Sequence, residues 1–375
     1  MKLHSGSETQ AGIYVGTATK IESRIKEWIA EDYTTMAQYF AARNGVVFLD
    51  GAQGRCGFDS GEALLATDSI FPVSSITKSF TGALIMILTE DGILSPNDFV
   101  YRHIPEFDGE GKKWVQIAHL LTHTSGINNN VENNENIKIP ESINTDIELR
   151  RYLYAACHAP NLCEPGIKMS YSSLGLMLVG EIIERATGRL LPDIVHERLF
   201  RPLNMENTFL GAPDSIIDRI VHYPKSAYFD MNIRNRHRYS ASSGAFSNAR
   251  DLSIFGQMLL NKGEYNGVRL LSRLSVEAMT RNQIPGISAF HDGVQFSEAG
   301  WGYSLMLSLD KFDETGTLRS YKSFGHSGAG CSMFICDPVN GVVASLLCST
   351  LKKEGDSHFE RRFDRFFNMV MSGVV

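Results

Sequence analysis

The apolar residues near the start of the chain recur first at helical and then at strand spacing. One helical face between residues 18 and 31 carries Ile21, Ile25, Trp28 and Ile29. This pattern predicts an amphipathic helix that covers a sheet. Apolar runs from Tyr39 to Arg43 and from Val46 to Leu49 then flank Asn44-Gly45, a dipeptide typical of tight hairpins, and they predict two antiparallel strands.

The middle of the chain has the longer spacing of helices. Three apolar runs each follow a serine and stop at a glycine, as helices often begin and end: residues 75–92, 173–188 and 247–263. Residues 201–240 are expected to be irregular. The Asn-rich segment 127–144 is expected to form an exposed loop, which either shapes substrate choice beside a cleft or is a solvated connection.

The last third of the chain returns to strand spacing before a final helix. Strands are predicted at residues 303–309, 318–324, 332–336 and 342–348, and a helix from Phe359 to Val370. This order predicts an α/β (α+β) fold, in which an antiparallel sheet from both chain ends is flanked by helices and carries an inserted, mainly helical lobe. We expect an α/β domain of residues 1–70 and 240–375, a helical domain of residues 71–239, and an active site in the cleft between them.

The composition is that of an ordinary soluble globular protein, and it argues against several classes of partner. The 375 residues are 43% hydrophobic and 21% charged, with a net charge of -6. No basic stripe suits nucleic acid or an anionic membrane, so we expect neither as a partner. The first residues lack the apolar segment of a secretion signal, and no apolar run reaches about 18 residues, so a cytoplasmic protein is expected. The oligomeric state stays open.

The six cysteines and eleven histidines indicate neither disulfides nor a metal site. With no paired Cys-x-x-Cys spacing, buried free thiols are expected. His119 and His123 lie four residues apart, a spacing that can hold a metal, but a third ligand is missing nearby, so packing or helix capping is expected instead. We therefore expect no metal and no cofactor.

Ser75 and Lys78 stand three residues apart at the start of a strongly apolar run. Residues at this spacing are neighbours on a helix surface, so the hydroxyl can meet the ammonium group. The free N–H groups of the first turn would favour a developing oxyanion, which suits acyl transfer. The same spacing also occurs at Ser23, Ser308 and Ser349. Only the Ser75 copy opens an apolar run, although spacing alone also fits a solvated pair on an ordinary helix.

Two later motifs complete a candidate site. Tyr171-Ser-Ser173 comes just before a predicted helix, and His326-Ser-Gly328 lies within a glycine-rich segment. By itself Tyr171 fits a core tyrosine and His326 a satisfied strand histidine, but in series with Ser75 they favour an active site. A serine hydroxyl needs a nearby base, and lysine serves only where burial and a second cation lower its pKa well below ~10.4.

With these motifs in this order, the sequence resembles the serine β-lactamase and penicillin-binding protein superfamily. The resemblance is to its class C-like branch, which includes D,D-peptidases, D-aminopeptidases and β-lactamase-like carboxylesterases, and it extends from about Tyr39 to Asp337. Further segments that look like this branch are Leu120-Leu-Thr-His-Thr-Ser-Gly126, Pro165-Gly166, Arg201-Pro-Leu-Asn-Met205 and Phe246-Ser-Asn-Ala-Arg-Asp-Leu252.

The resemblance implies a catalytic role for each matching residue. Ser75 would be the acylated nucleophile, and Lys78 would help to take its proton and orient Tyr171. Tyr171 would relay the proton to the leaving group and later activate water. The backbone N–H groups of Ser75 and Ala329 would form the oxyanion hole.

The residues expected to bind substrate include two departures from the family pattern. The resemblance implies that His326 and Ser327 line the cleft on an edge strand, with Gly328 keeping that strand close to the substrate. Ser173 replaces an asparagine of many relatives, and His326 replaces the lysine of β-lactamases. Imidazole, with an ordinary pKa of ~6.5, is mostly neutral at pH 7 and a poorer anchor for a carboxylate. Lowering the pH toward 6 is expected to charge His326.

These observations predict a serine hydrolase that works through an acyl-enzyme on a small-molecule ester or amide. The two departures argue for weak or no β-lactamase activity, although the motifs do not settle ester against amide or lactam. Two alternatives stay open. One is an acyltransferase on the same fold, and the other is a penicillin-binding protein that is acylated without turnover.

Overall fold

A seven-stranded sheet forms the centre of the protein in the computed structural model, which describes residues 1–56, 63–127, 148–221, 239–291, 294–309, 315–349 and 358–375. The strands in chain order are β1 (His4–Ser5), β2 (Met36–Arg43), β3 (Val46–Gly54), β4 (Phe71–Pro72), β5 (Phe209–Leu210), β6 (Ala245–Ser247), β7 (Glu264–Tyr265), β8 (Val268–Arg269), β9 (Ala289–His291), β10 (Val294–Phe296), β11 (Met306–Leu307), β12 (Phe324–Gly328), β13 (Ser332–Asp337) and β14 (Val342–Cys348).

The sheet joins the two ends of the chain, as predicted from the sequence. Its strand order is β1-β3-β2-β14-β13-β12-β11. β2 and β3 form the predicted hairpin, and Asn44-Gly45 takes the left-handed conformation that such a turn requires. β2 then pairs with β14, with Arg43 opposite Val342. The sheet is antiparallel except at its edge, where β1 runs parallel to β3.

Helices surround this sheet on both faces. They are α1 (Thr17–Ala30), α2 (Thr77–Glu90), α3 (Val100–His103), α4 (Ile117–Leu121), α5 (Glu148–His158), α6 (Ser173–Thr187), α7 (Leu191–Val195), α8 (Arg201–Leu203), α9 (Ala249–Leu260), α10 (Arg273–Thr280) and α11 (His358–Ser372). Short 3₁₀ turns cover Ser74–Ile76 and Asp214–Arg219, and a π turn covers His196–Phe200. The three apolar runs predicted to be helical are α2, α6 and α9.

Different helices cover the two faces because side chains alternate along each strand. On β2, Tyr39 faces α1 and α11 and shares a core cluster with Trp28 and Phe366. Phe40 points the other way, into a larger core that includes α2, α6 and α9. α9 approaches the sheet closely at Gly256, where a Cβ atom would lie 2.7 Å from the Val343 side chain.

Two predicted strands differ from the observed ones. The strand expected at residues 318–324 begins only at Phe324, because Ser320 donates from its N–H and its hydroxyl to the Asp337 carboxylate at 2.7 and 2.8 Å and starts a turn. The strand expected at residues 303–309 is reduced to β11. Residues 128–144 of the predicted exposed loop lie outside the described residues.

The cysteines and the lengths of the helices bear on two further expectations. Four of the six cysteines are buried, as expected, whereas Cys56 and Cys163 are only half-buried. Among the described helices, none has the length and apolar character needed to cross a membrane.

Candidate active site

Ser75 lies in the 3₁₀ turn that leads into α2, and the residues around this turn are hydrogen-bonded to β6. The Thr77 hydroxyl donates to the carbonyl of Ser74 at 2.6 Å and accepts the N–H of Ala245 at 2.9 Å. The N–H of Val73 donates to the Ala245 carbonyl at 3.0 Å. Ser74 itself has a left-handed φ of 46°. The nucleophile expected from the sequence is therefore held by contacts from a segment far along the chain.

β12 ends directly against the Ser75 turn. A Cβ atom on Gly328 would lie 2.2 Å from the carbonyl oxygen of Val73, so only glycine permits this approach. The Ser332 hydroxyl donates to the same carbonyl at 3.3 Å. Ala329 follows the end of β12 and is exposed. The glycine thus brings the strand that carries His326 to the proposed nucleophile.

Lys78 is fully buried, and three oxygen atoms surround its Nζ. These are Ser75 Oγ at 3.0 Å, Ser173 Oγ at 3.3 Å and the Ser242 carbonyl at 2.9 Å. Burial lowers the pKa of Lys78 from 10.5 to about 7, because the charged form loses its hydration. Near neutral pH a large fraction of Lys78 is therefore the free amine, which is able to accept the Ser75 proton.

Tyr171 lies immediately before α6, where the sequence predicted it. Ser172 is the N-cap of this helix, and its hydroxyl accepts the N–H of Gly175 at 3.0 Å. The Tyr171 side chain is 39% exposed, and its ring centre lies 4.9 Å from the Lys78 Nζ. The structure thus brings Ser75, Lys78 and Tyr171 together, with Ser173 contacting the lysine.

The two nitrogens of the buried His326 imidazole have different surroundings. Nδ1 donates to the carbonyl of Ser327 at 2.6 Å, so the lone pair is on Nε2, which has no hydrogen-bond partner among the described residues. Burial, together with the nearby Lys78 charge, lowers the pKa of His326 from 6.5 to about 3. The expectation that His326 gains charge as the pH falls toward 6 is therefore wrong.

The side of the site next to His326 is apolar. The Trp301 ring lies 5.6 Å from the His326 ring and 5.9 Å from the Tyr171 ring, measured between centres. Trp301 packs in a small apolar cluster with Met306 and other residues. The Ser327 hydroxyl lies 3.8 Å from the Met306 sulfur. A polar side centred on Lys78 thus faces an apolar side formed around Trp301.

Sequence reasoning missed three residues of this site. Ser242 contributes a backbone carbonyl, which no side-chain motif reveals. Trp301 belongs to none of the recognised motifs. His123 does lie within a recognised motif, but only packing or capping was expected of it, whereas its Nδ1 accepts the N–H of Ser172 beside Tyr171 at 3.0 Å.

His119, the other half of the candidate metal spacing, is a helix cap. Its Nδ1 accepts the N–H of Gln116 at 3.0 Å at the start of α4. In the part of the chain that the structure describes, no group of three or more His, Cys, Asp or Glu side chains could hold a metal ion.

Comparison along the sequence finds a matching family model and similar known proteins. The family model described as Beta-lactamase matches residues 34–368. Penicillin-binding protein 4 of Amycolatopsis lactamdurans is 31% identical over 319 residues, which are 80% of this chain and 78% of that protein.

Solved structures match over nearly the whole chain. A penicillin-binding protein homolog from Caulobacter crescentus has a TM-score of 0.78 at 21% identity, covering 96% of this chain and 99% of that one. A family VIII carboxylesterase has a TM-score of 0.77 at 21% identity, covering 96% of this chain and 98% of that one. At these identities the likeness shows a shared fold.

Proposed function

The chain belongs to the β-lactamase family, and from that premise we propose that this serine hydrolase works through a covalent acyl-enzyme at Ser75. The observation that carries the proposal is the buried Lys78 Nζ, 3.0 Å from Ser75 Oγ, with a pKa of about 7. A serine hydroxyl is a weak nucleophile without a neighbouring base, and a lysine serves as that base only when a substantial fraction is uncharged.

The proposed reaction has two steps. Ser75 Oγ bonds to the substrate carbonyl carbon while its proton passes to the Lys78 amine. The bond from that carbon to the leaving alcohol or amine then breaks; the leaving group takes the Tyr171 hydroxyl proton, and Tyr171 regains a proton from Lys78. In the second step water attacks the acyl carbon and its proton passes through Tyr171 to Lys78; the bond to Ser75 Oγ then breaks, Ser75 Oγ regains this proton from Lys78, and the acid leaves. The N–H groups of Ser75 and Ala329 stabilise the oxyanion in both steps.

The second part of the proposal concerns the charge of the substrate. We assign uncharged small-molecule esters or amides as the substrates, with weak or no activity on carboxylate-bearing lactams. The neutral His326 supports this choice, since its Nδ1 donates to the Ser327 carbonyl and its buried ring carries no charge. A lysine at this position would attract a carboxylate, whereas an uncharged ring does not.

The proposed site lies in a cleft between two domains, of residues 1–70 with 240–375 and of residues 71–239. Two observations support this division. The sheet takes its strands from both chain ends, and the proposed site joins residues of α2 and the start of α6 to residues of β12. Ser327, Gly328 and Ala329 would line the cleft from the sheet side.

Intact-mass spectrometry tests the proposal directly. The protein is exposed to p-nitrophenyl butyrate or to benzylpenicillin, alone and with added alcohol, and the mass and the products are followed over time. We expect a transient butyryl adduct, which is absent in Ser75→Ala and present in the control Ser23→Ala, where the serine of another Ser-x-x-Lys copy is lost. Undiminished ester hydrolysis by Ser75→Ala would contradict the proposal. Ester formation with the alcohol would indicate acyl transfer instead.

A further inference from the structure

His123 contacts Tyr171 and both of its chain neighbours. The His123 carbonyl accepts the N–H of Ser170 at 2.8 Å, and its Nδ1 accepts the N–H of Ser172 at 3.0 Å. His123 has a left-handed φ of 60°, which is uncommon for a residue with a Cβ atom and tends to occur at functional sites. The backbone N–H groups of the residues on either side of Tyr171 therefore both donate to His123.

The third contact joins the two rings. The ring centres of His123 and Tyr171 lie 4.4 Å apart, and the ring planes are inclined by 34°. Trp301 meets the His123 ring nearly at right angles, with centres 4.6 Å apart. Because His123 is only 1% exposed, its ring cannot turn without displacing one of these neighbours.

The hydrogen bonds also decide the protonation state of His123. Because Nδ1 accepts the Ser172 N–H, the ring proton is on Nε2, and this buried N–H has no acceptor among the described residues. A second proton on Nδ1 would break the bond to Ser172. Burial, with Lys78 and His326 nearby, holds the pKa of His123 well below 6.5. The ring is therefore a permanent neutral acceptor.

We propose that His123 is a positioning residue that holds the Tyr171 hydroxyl where it relays protons for Ser75. The inference rests on the proposed role of Tyr171. A displacement of about 1 Å in a catalytic group can cost about 10²-fold in rate. Loss of the contacts therefore lowers kcat, while KM changes little because substrate binding depends on other parts of the cleft.

Two substitutions separate the contacts of His123. His123→Phe keeps a ring against Tyr171 but leaves the Ser172 N–H without its acceptor. His123→Asn places an amide oxygen near the position of Nδ1 but removes the ring. His119→Asn is the matched control, because His119 also accepts a backbone N–H through Nδ1, at the start of α4. Each is made in the wild-type and Tyr171→Phe backgrounds, and kcat, KM and thermal stability are measured with a p-nitrophenyl ester.

We expect His123→Phe and His123→Asn to lower kcat by about tenfold or more with KM within about threefold, in keeping with a misplaced relay group. In the Tyr171→Phe background neither should lower kcat further, because the group that His123 positions is already absent. Their effects on the melting temperature should be the same in both backgrounds. The His119→Asn control should change kcat by the same small factor in the wild-type and Tyr171→Phe backgrounds.

Three results would overturn the inference. The first is an unchanged kcat for either His123 variant in the wild-type background. The second is an equal further loss of kcat in the Tyr171→Phe background, which would mean that His123 supports the fold rather than Tyr171. The third is full activity of Tyr171→Phe, which would remove the proposed relay itself while Ser75→Ala still tests the nucleophile. If His123→Phe does not fold, the Asn variant alone decides.

Discussion

Lys78 and His326 are two buried bases in one site, and burial affects their function differently. Burial lowers the pKa of Lys78 from 10.5 to about 7 and, together with the nearby Lys78 charge, that of His326 from 6.5 to about 3. The two decreases are similar in size, so the residue type decides the result. The lysine titrates near neutral pH, whereas the imidazole stays uncharged.

The hydrogen-bond partners of the two bases also differ, and they favour the same protonation states as the pKa values do. Three oxygen atoms surround the Lys78 Nζ, so the ammonium form has acceptors and the amine form can still receive a proton from Ser75. His326 has one acceptor, the Ser327 carbonyl, so a protonated ring would leave one buried N–H unsatisfied at a cost of about 1–3 kcal/mol. We infer that proton transfer is confined to the lysine side, and that the strand side presents a neutral surface to substrate.

Replacing Lys78 should have the largest effect on the reaction. We expect Lys78→Met to lower the acylation rate by about 10²- to 10⁴-fold, because the Ser75 proton loses its acceptor. The melting temperature should fall modestly, because the Ser242 carbonyl loses its donor. Stopped-flow acylation by a p-nitrophenyl ester measures the rate.

Lys112 supplies the matched control for this change. It is also buried, and its Nζ donates to the Cys157 carbonyl at 2.5 Å and lies over the Phe107 ring, neither of which is a proposed catalytic residue. Lys112→Met should leave the acylation rate within about threefold while lowering the melting temperature, because the Cys157 carbonyl loses its donor. Equal rate losses in the two variants would contradict a specific role for Lys78.

Moving β12 away from the Ser75 turn should have the next largest effect. In Gly328→Ala the new Cβ would meet the Val73 carbonyl oxygen at 2.2 Å, so β12 or the Ser75 turn must move. We expect kcat/KM to fall by about 10²-fold, as a displacement of about 1 Å in a reacting group can cause. Gly175→Ala is the control, because its Cβ would find only ordinary contacts of 3.5 Å or more, and it should retain activity. Steady-state kinetics that do not distinguish the two variants would contradict the close approach.

Much of the fold could be predicted because the hydrophobic pattern is a local property of the chain. The hairpin of β2 and β3, strands β13 and β14, and helix α6 all follow from residues within one element. The strand expected at residues 318–324 failed for the opposite reason. Its first residues are held in a turn by the Asp337 carboxylate, 17 residues away from Ser320, and no local pattern contains that contact.

In the candidate site, too, local contacts could be predicted and long-range contacts could not. Ser75 and Lys78 could be paired from sequence because they are three residues apart on one helical surface. The Ser242 carbonyl on Lys78 comes from 164 residues away, and the His123 acceptor comes from 49 residues before Ser172. Burial and tautomer depend on such long-range packing, so neither the pKa of His326 nor the position of His123 could be read from the sequence.

The pH dependence of the reaction should report the pKa of Lys78 and not that of His326. In the proposed mechanism acylation requires the uncharged amine of Lys78, and the uncharged fraction rises with pH. We therefore expect kcat/KM for an uncharged ester to fall about tenfold for each pH unit below a midpoint near 7, and to level off above it. His326 should add no inflection between pH 5 and 8, because its pKa is about 3. An ester-to-penicillin rate ratio that changes over this range would contradict a permanently neutral His326.

The smallest effect is expected from His326→Lys, which replaces the neutral imidazole by a second lysine in the site. A unit charge ~4 Å from a carboxylate is worth ~4 kcal/mol at an effective dielectric near 20, before desolvation cancels much of it. We therefore expect acylation by benzylpenicillin to rise about tenfold relative to an uncharged ester, which corresponds to about 1.4 kcal/mol. The new cation should also lower the pKa of Lys78 further and move the midpoint of kcat/KM to lower pH. His326→Gln, which is neutral, serves as the control and should leave the ratio unchanged. If the ratio is unchanged or falls in His326→Lys, carboxylate recognition lies elsewhere, and the neutral imidazole is not what turns this site toward uncharged substrates.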